Sequence, residues 1–252
     1  MNKLQIILAS ASIGRKQLLE KLGVPFEVMV SNIDEENITD PDPYKMLELR
    51  ARAKAQDVVK KLSAISHQTS DIRQKSAKNS AVSEDCLIIA ADSMAVLDGQ
   101  TYGKAKNKAD AKRIISELMG PPALASGKSR WRAGKTHEFV TATSIIYLSY
   151  PVIPATRLHL PDAKAFGGQE AGIHKQIKQW NNITKTKVTL RLLSPSELTH
   201  YVARYDFTRF AAGYALNETP WDLVTKIEGS YTNVIGLPFE VLLPILRLYK
   251  II

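Results

Sequence analysis

Apolar and polar positions alternate in blocks that predict strands and helices in turn. Leu4-Gln5-Ile6-Ile7-Leu8 is a short apolar run closed by Ala9-Ser10-Ala11-Ser12, which reads as a strand entering a turn. From about Ile13 to Leu22 the spacing becomes helical: Leu18, Leu19 and Leu22 share one face, Lys16, Glu20 and Lys21 lie elsewhere, and Gly23 and Pro25 end the pattern. A second strand is expected over Phe26 to Val30. Strand, helix and strand in immediate succession predict an α/β fold.

A longer helical pattern runs from Tyr44 to Leu62, offering Met46, Leu47, Ala53, Val58 and Val59 to a core and containing Lys54. Leu87 to Ala91 reads as a buried strand ending at Asp92, and Met94 to Leu97 continues it to the hairpin dipeptide Asp98-Gly99. Ala109 to Met119 is expected to be a helix capped by Asn107 and stopped by Gly120. Strands are expected over His137 to Tyr150, Lys185 to Leu193 and near Trp221 to Ile227. Ser194-Pro195-Ser196-Glu197 carries a capping box with proline in the first turn, ahead of Leu198, Tyr201 and Val202. After a turn at Glu228-Gly229-Ser230, a last helix follows Pro238, with Pro244 placed to kink it. Residues 63–85, 120–136 and 150–183 hold no sustained period and read as surface insertions in a single domain spanning 1–252; the first is expected to be exposed and disordered.

The chain of 252 residues is 44% hydrophobic, long enough for a sizeable core in one large domain or two small lobes. No apolar run reaches the ~20 residues of a membrane span, and the first strand begins too early for a separate signal peptide, so a cytoplasmic location without membrane contact is expected. Cys86 is the only cysteine, which excludes an intrachain disulfide and a cysteine metal site. The net charge of +9 favours anionic partners. Residues 120–136 and 150–183 together hold six of those nine charges. The remainder is mildly basic, as suits a polyphosphate better than a nucleic-acid track, so a nucleic-acid partner is disfavoured.

The first turn is the strongest site candidate. The opening N–H groups of a helix lack intrahelical acceptors and lie at its positive end, where they bind phosphate oxygens. Ser10 and Ser12 add hydroxyls there, with Ser12 a candidate N-cap, and Arg15 is poorly placed for the helix but well placed beside an anion. Asp92 puts a carboxylate where a buried strand finishes, a common place for a ligand crevice.

Ala9-Ser10-Ala11-Ser12-Ile13-Gly14-Arg15 resembles the ASxSPRR turn of the Maf family of nucleoside triphosphate pyrophosphatases. Five further segments resemble that family in order: Ser31-Asn32-Ile33-Asp34-Glu35 its SDIDE, Arg50 to Ala55 its helix ending in KA, Ala91-Asp92-Ser93 with VLDG its ADTVVVLDG, Gly103-Lys104 its LGKP, and Ile227 to Pro238 its IEGDYSNVVGLP. The resemblance implies a mixed sheet with flanking helices and a cleft between two lobes, like the inosine triphosphatase fold. It also implies hydrolysis of a nucleoside triphosphate to the monophosphate and pyrophosphate with a divalent metal cation, Mg²⁺ or Mn²⁺. Asp92 would accept the proton and hold metal; Glu35 would be the second carboxylate, with Asp34 and Glu36 as alternatives. Ser10, Ser12, Arg15, Lys54 and Lys104 would bind the phosphates, as a charged polyanion requires.

At three places that the resemblance links to base preference the chain departs from the family. Gly14 replaces the first arginine, Ser93 the threonine after the aspartate, and Asn217 the glutamine of AGAYGIQG, counted back from the shared IEG. Gly14 is expected to widen the pocket and Asn217 to read a base edge with shorter reach. These departures, with Trp131 between Arg130 and Arg132, suggest the alternative of a catalytically weakened nucleotide- or RNA-binding protein on the same fold. A homodimer is left open, and a role in septum formation rests on the resemblance alone.

Overall fold

The computed structural model describes residues 4–73, 85–120, 133–149, 176–218 and 223–252. The strands are β1 (Gln5–Leu8), β2 (Glu27–Val28), β3 (Cys86–Leu97), β4 (Gln100–Tyr102), β5 (Ala133–Ser149), β6 (Gln176–Arg191) and β7 (Val224–Glu228). The helices are α1 (Ile13–Lys21), α2 (Pro43–Arg73), α3 (Lys108–Met119), α4 (Pro195–Arg204), α5 (Tyr231–Ile235) and α6 (Phe239–Leu248), with a 3₁₀ turn at Phe207–Arg209. Together they form the expected α/β architecture: a seven-stranded mixed sheet, in the order β2-β1-β3-β5-β6-β7 with β4 beside β3, flanked by helices. β1 is parallel to both β2 and β3, whose connections pass through α1 and α2, and all other pairs are antiparallel.

Side-chain alternation along β3 decides what packs where. Ile88, Ala90, Met94 and Val96 face α2, which lays Leu47, Ala51, Ala55 and Val58 against them. Leu87 and Ile89 face α1 and α6, and Ala95 and Leu97 face the layer of α3 and α4. The expected caps form: Asn107 Oδ1 accepts from Asp110 N at 2.9 Å, Gly120 ends α3 at φ 86°, and Ser194 with Glu197 makes a complete capping box. Such caps are worth about 1 kcal/mol each. Pro244 lies inside α6.

Several expected boundaries are corrected. α2 continues through Arg73 rather than ending at Leu62, because no glycine or proline interrupts residues 63–73 and a helix can go on in water without an apolar stripe. β3 is one strand of 12 residues, so Asp92 lies within it rather than at its end; pairing of Asp92 with Ala142 and Ser93 with Thr141 carries the ladder through the polar step. β6 begins at Gln176, since its polar first half pairs with β5 from Ser149 onward. β5 likewise starts at Ala133, and β2 is only two residues long. The reading of Trp131 and its flanking arginines, and most of the second and third insertions, lies outside the described residues. No described helix is long and apolar enough to cross a membrane.

Candidate active site

β1 stops while β3 runs on. Leu8 is opposite Ile89 and Ala9 N donates to Ile89 O at 2.8 Å, whereas β4 joins the same strand only from Ala95. Between these points that edge of β3 has no strand partner among the described residues. A cleft of about 480 Å³ opens there, between the β1–α1 turn and α2 on one side and the Thr101–Lys104 and Arg209–Ala215 segments on the other. Asp92 and Ser93 stand in the gap, and as successive strand residues they point to opposite faces.

On the α2 face, Lys54 is only 6% exposed. The small side chains of Ala51 and Ala55 let α2 lie close to the sheet, which brings Lys54 Nζ to 2.9 Å from Asp92 Oδ1 and 2.8 Å from Glu35 Oε2. A buried ammonium persists when its charge is paired, and here two carboxylates share it. Asp34 serves its own turn, accepting from Glu36 N at 3.1 Å and Asn37 Nδ2 at 2.8 Å, while Glu36 lines the cleft.

On the opposite face, Arg15 is buried and donates in three directions: Nε to Gly236 O at 2.8 Å, Nη1 to Ser10 Oγ at 2.9 Å and Nη2 to Ser93 Oγ at 2.9 Å. Burial lowers its pKa and the charges of Asp92 and Glu35 oppose that shift; a guanidinium remains a cation nonetheless. Ser12 occupies the N-cap position of α1 but its side chain makes no capping bond; its N–H goes to Ser10 Oγ at 3.2 Å. Ser93 Oγ is 2.9 Å from Thr141 Oγ1, whose own proton goes to Asn233 O at 3.1 Å. Ser93 therefore donates to Thr141 while accepting from Arg15, a polarised chain with one direction. Asn233 is itself fixed by Nδ2 bonds to Phe139 O and Thr186 Oγ1.

Lys104 lines the far wall, where its segment is held by an isolated bridge to Ala211. Ser10, Ser12, Arg15, Glu35, Lys54, Asp92, Ser93 and Lys104 thus surround one cleft. Gly14 and Asn217 are not among its lining residues. Gly14 lies where α1 meets α5, and a Cβ there would stand 2.9 Å from Ile235 O, so its lack of a side chain serves close packing rather than a wider pocket. Asn217 Nδ2 donates to Gln17 Oε1 on α1. The structure adds Arg50, Arg209 and Phe210 to the cleft lining, and Thr141 and Asn233 behind Ser93. The cross-strand register supplies Thr141 and the IEGSYTNVIGLP segment supplies Asn233, but no local pattern marks Arg209 or Phe210.

The carboxylates fit a particular kind of metal site. Among the described residues no group of three or more His, Cys, Asp or Glu side chains forms a metal cage. Glu35 and Asp92 do converge on one cation, Lys54, and Mg²⁺ typically takes one or two protein carboxylates and completes its shell with substrate phosphates and water.

Comparison with known proteins places nearly the whole chain in one family. The family model described as Maf-like protein matches residues 5–249. A dTTP/UTP pyrophosphatase of Treponema denticola is 28% identical over 243 residues, covering 96% of each chain. A nucleoside triphosphate pyrophosphatase of Synechococcus sp. is 29% identical, again covering 96% of each. A dTTP/UTP pyrophosphatase of Citrifermentans bemidjiense is 29% identical, covering 94% of this chain and 92% of its own.

Proposed function

The chain belongs to the Maf-like protein family, and from that membership we propose that it is a nucleoside triphosphate pyrophosphatase, with pyrimidine triphosphates as the first substrates to assay. The observation that carries the reading is the convergence of Lys54, Asp92 and Glu35 on one face of β3 with Arg15 and Ser93 on the other, at the end of β1. The names carried by the relatives, dTTP/UTP pyrophosphatase among them, support both the reaction and the pyrimidine preference.

The triphosphate would enter at the β1–α1 turn, where the N-terminus of α1, the hydroxyls of Ser10 and Ser12 and the remaining Arg15 protons meet phosphate oxygens. Lys54 and Lys104 approach from the two walls and neutralise further charge. Asp92 would take a proton from water as that water's oxygen bonds to the α-phosphorus; the bond from this phosphorus to the α–β bridging oxygen breaks, and pyrophosphate leaves with the electron pair. Glu35 and Asp92 would hold Mg²⁺ or Mn²⁺ together with the substrate phosphates. Such a cation, when bound, withdraws electron density from the phosphoryl group.

The test is a panel of nucleoside triphosphates with Mg²⁺ or Mn²⁺, assayed for pyrophosphate and orthophosphate. Pyrophosphate with nucleoside monophosphate is expected. Orthophosphate with nucleoside diphosphate would mean cleavage at the terminal phosphate, and neither product would favour a binding protein on this fold.

A further inference from the structure

With Gly14 and Asn217 outside the cleft lining, the residues that do line it are the candidates to hold the base. Three aromatic side chains line the cleft among the described residues: Phe139, Phe210 and Tyr214. Phe139 and Tyr214 are 3% and 2% exposed and belong to the core, whereas Phe210 is half-buried. Phe210 is on the wall opposite the Ser10–Arg15 turn, with the Arg209 guanidinium carbon 5.6 Å from its ring centroid. A planar cation above an aromatic ring is a favourable pairing, and either group can stack on a base.

The segment bearing Phe210 is held rigid although it comes from a surface turn. Asp206 Oδ1 accepts from Thr208 N at 3.2 Å and Thr208 Oγ1 at 2.6 Å, and Phe210 N donates to Phe207 O at 3.3 Å. Beyond it, Ala212 N donates to Gly103 O at 2.8 Å and Lys104 bridges to Ala211. Ala212 adopts φ 60°, a left-handed conformation that its Cβ makes costly by about 1 kcal/mol, and Gly213 follows at φ 71°. Strain of this kind persists where neighbouring contacts fix the backbone. Here it turns the chain between the cleft wall at Phe210 and the buried Tyr214.

We infer that Phe210, flanked by Arg209, is the stacking platform for the nucleobase, which is bound by its face rather than read by its edge. The inference rests on the pyrophosphatase reading and adds a base-binding residue to it. Stacking exists only for a ligand that has a base, so base-bearing and base-free polyphosphates separate this role from a structural one.

The experiment titrates the protein and its Phe210→Ala, Phe210→Leu and Phe210→Tyr variants with α,β-methylene-UTP, which resists cleavage, and with inorganic tripolyphosphate, at fixed Mg²⁺. Removal of a stacking aromatic is expected to weaken binding of the methylene-UTP by about 5- to 100-fold in the Ala and Leu variants, with tripolyphosphate affinity held within about twofold. Phe210→Tyr should restore nucleotide affinity. The Leu variant keeps apolar volume without a π-face, so it decides the matter if the Ala variant does not fold. Equal losses for both ligands, or no loss for the nucleotide, would overturn the stacking role and leave the pyrophosphatase reading standing. Failure of the unsubstituted protein to bind either ligand would overturn that reading and this inference with it.

Discussion

Lys54 Nζ on α2 lies 2.9 Å from Asp92 Oδ1 on β3, in a pair whose side chains are 8% and 14% exposed. The two residues are 38 positions apart in the chain, and the same ammonium also holds Glu35. This contact ties the proposed proton acceptor to α2, the helix that also brings Arg50 to the cleft.

Lys54→Met should therefore lower kcat/KM by at least about 100-fold, the usual cost of losing one oriented charge donor at a phosphoryl site. It should also destabilise the fold, because Asp92 and Glu35 would lose their shared cation. Adding Asp92→Asn to Lys54→Met should return part of that stability. Urea unfolding of both single variants and the double variant measures the coupling, and strict additivity would contradict it.

Gly14→Ala should destabilise the protein, since the new Cβ would sit 2.9 Å from Ile235 O and 3.1 Å from Ile235 Cγ2. Overpacking of this kind typically costs about 1–3 kcal/mol, less the up to ~1 kcal/mol that alanine gains over glycine in a helix. For a chain of this size a net loss of about 1 kcal/mol lowers Tm by about 2–4 °C. Thermal unfolding checks it; an unchanged or raised Tm would show that α5 yields.

His137 gives the fold a pH dependence. It is 2% exposed, its Nε2 is 2.8 Å from the Tyr214 hydroxyl, and burial lowers its pKa from 6.5 to about 4. Above pH 6.5 folded and unfolded chains both carry it neutral. Between 6.5 and 4 only the unfolded chain takes the proton, so this contribution is full above 6.5 and is lost as pH falls towards 4. The part lost by pH 5 is about 2 kcal/mol. Denaturant unfolding of the parent and His137→Gln at pH 7 and 5 should show a steeper loss in the parent; equal losses would mean that His137 titrates freely.

Residues close in sequence were legible before their partners were. Ser10 and Arg15 stand out because a strand, a serine turn and a helix start lie within one short stretch, and their bond at 2.9 Å follows from that proximity. Asp92 is recognisable as a carboxylate closing an apolar run, but its place within β3 and beyond the end of β1 depends on a register between segments about 80 residues apart. Gly14 misleads because an absent side chain looks like added space, when the space is filled by Ile235 from the far end of the chain. Arg209 and Phe210 give no local signal: they lie at the end of the short 3₁₀ turn Phe207–Arg209, and the bridge between Lys104 and Ala211, with the bond from Ala212 N to Gly103 O, places them at the cleft. Residues 63–73 are helical without an apolar signal for a simpler reason, since loss of apolar period does not end a helix when nothing breaks it.

The most direct test is Asp92→Asn, followed by pyrophosphate release beside calorimetric titration with a nucleoside triphosphate, after circular dichroism confirms the fold. The substitution is nearly isosteric, but it removes the negative charge that would take the proton from water and help hold the metal. Loss of a general base typically costs ~10²- to 10⁴-fold, so pyrophosphate release should fall by at least that much. Nucleotide binding should remain measurable, because Arg15, Lys54, Lys104 and the start of α1 still line the cleft. A folded variant that binds nucleotide and releases pyrophosphate near the parent rate would contradict the account, leaving Asp92 as no more than the counterion that holds Lys54 in place.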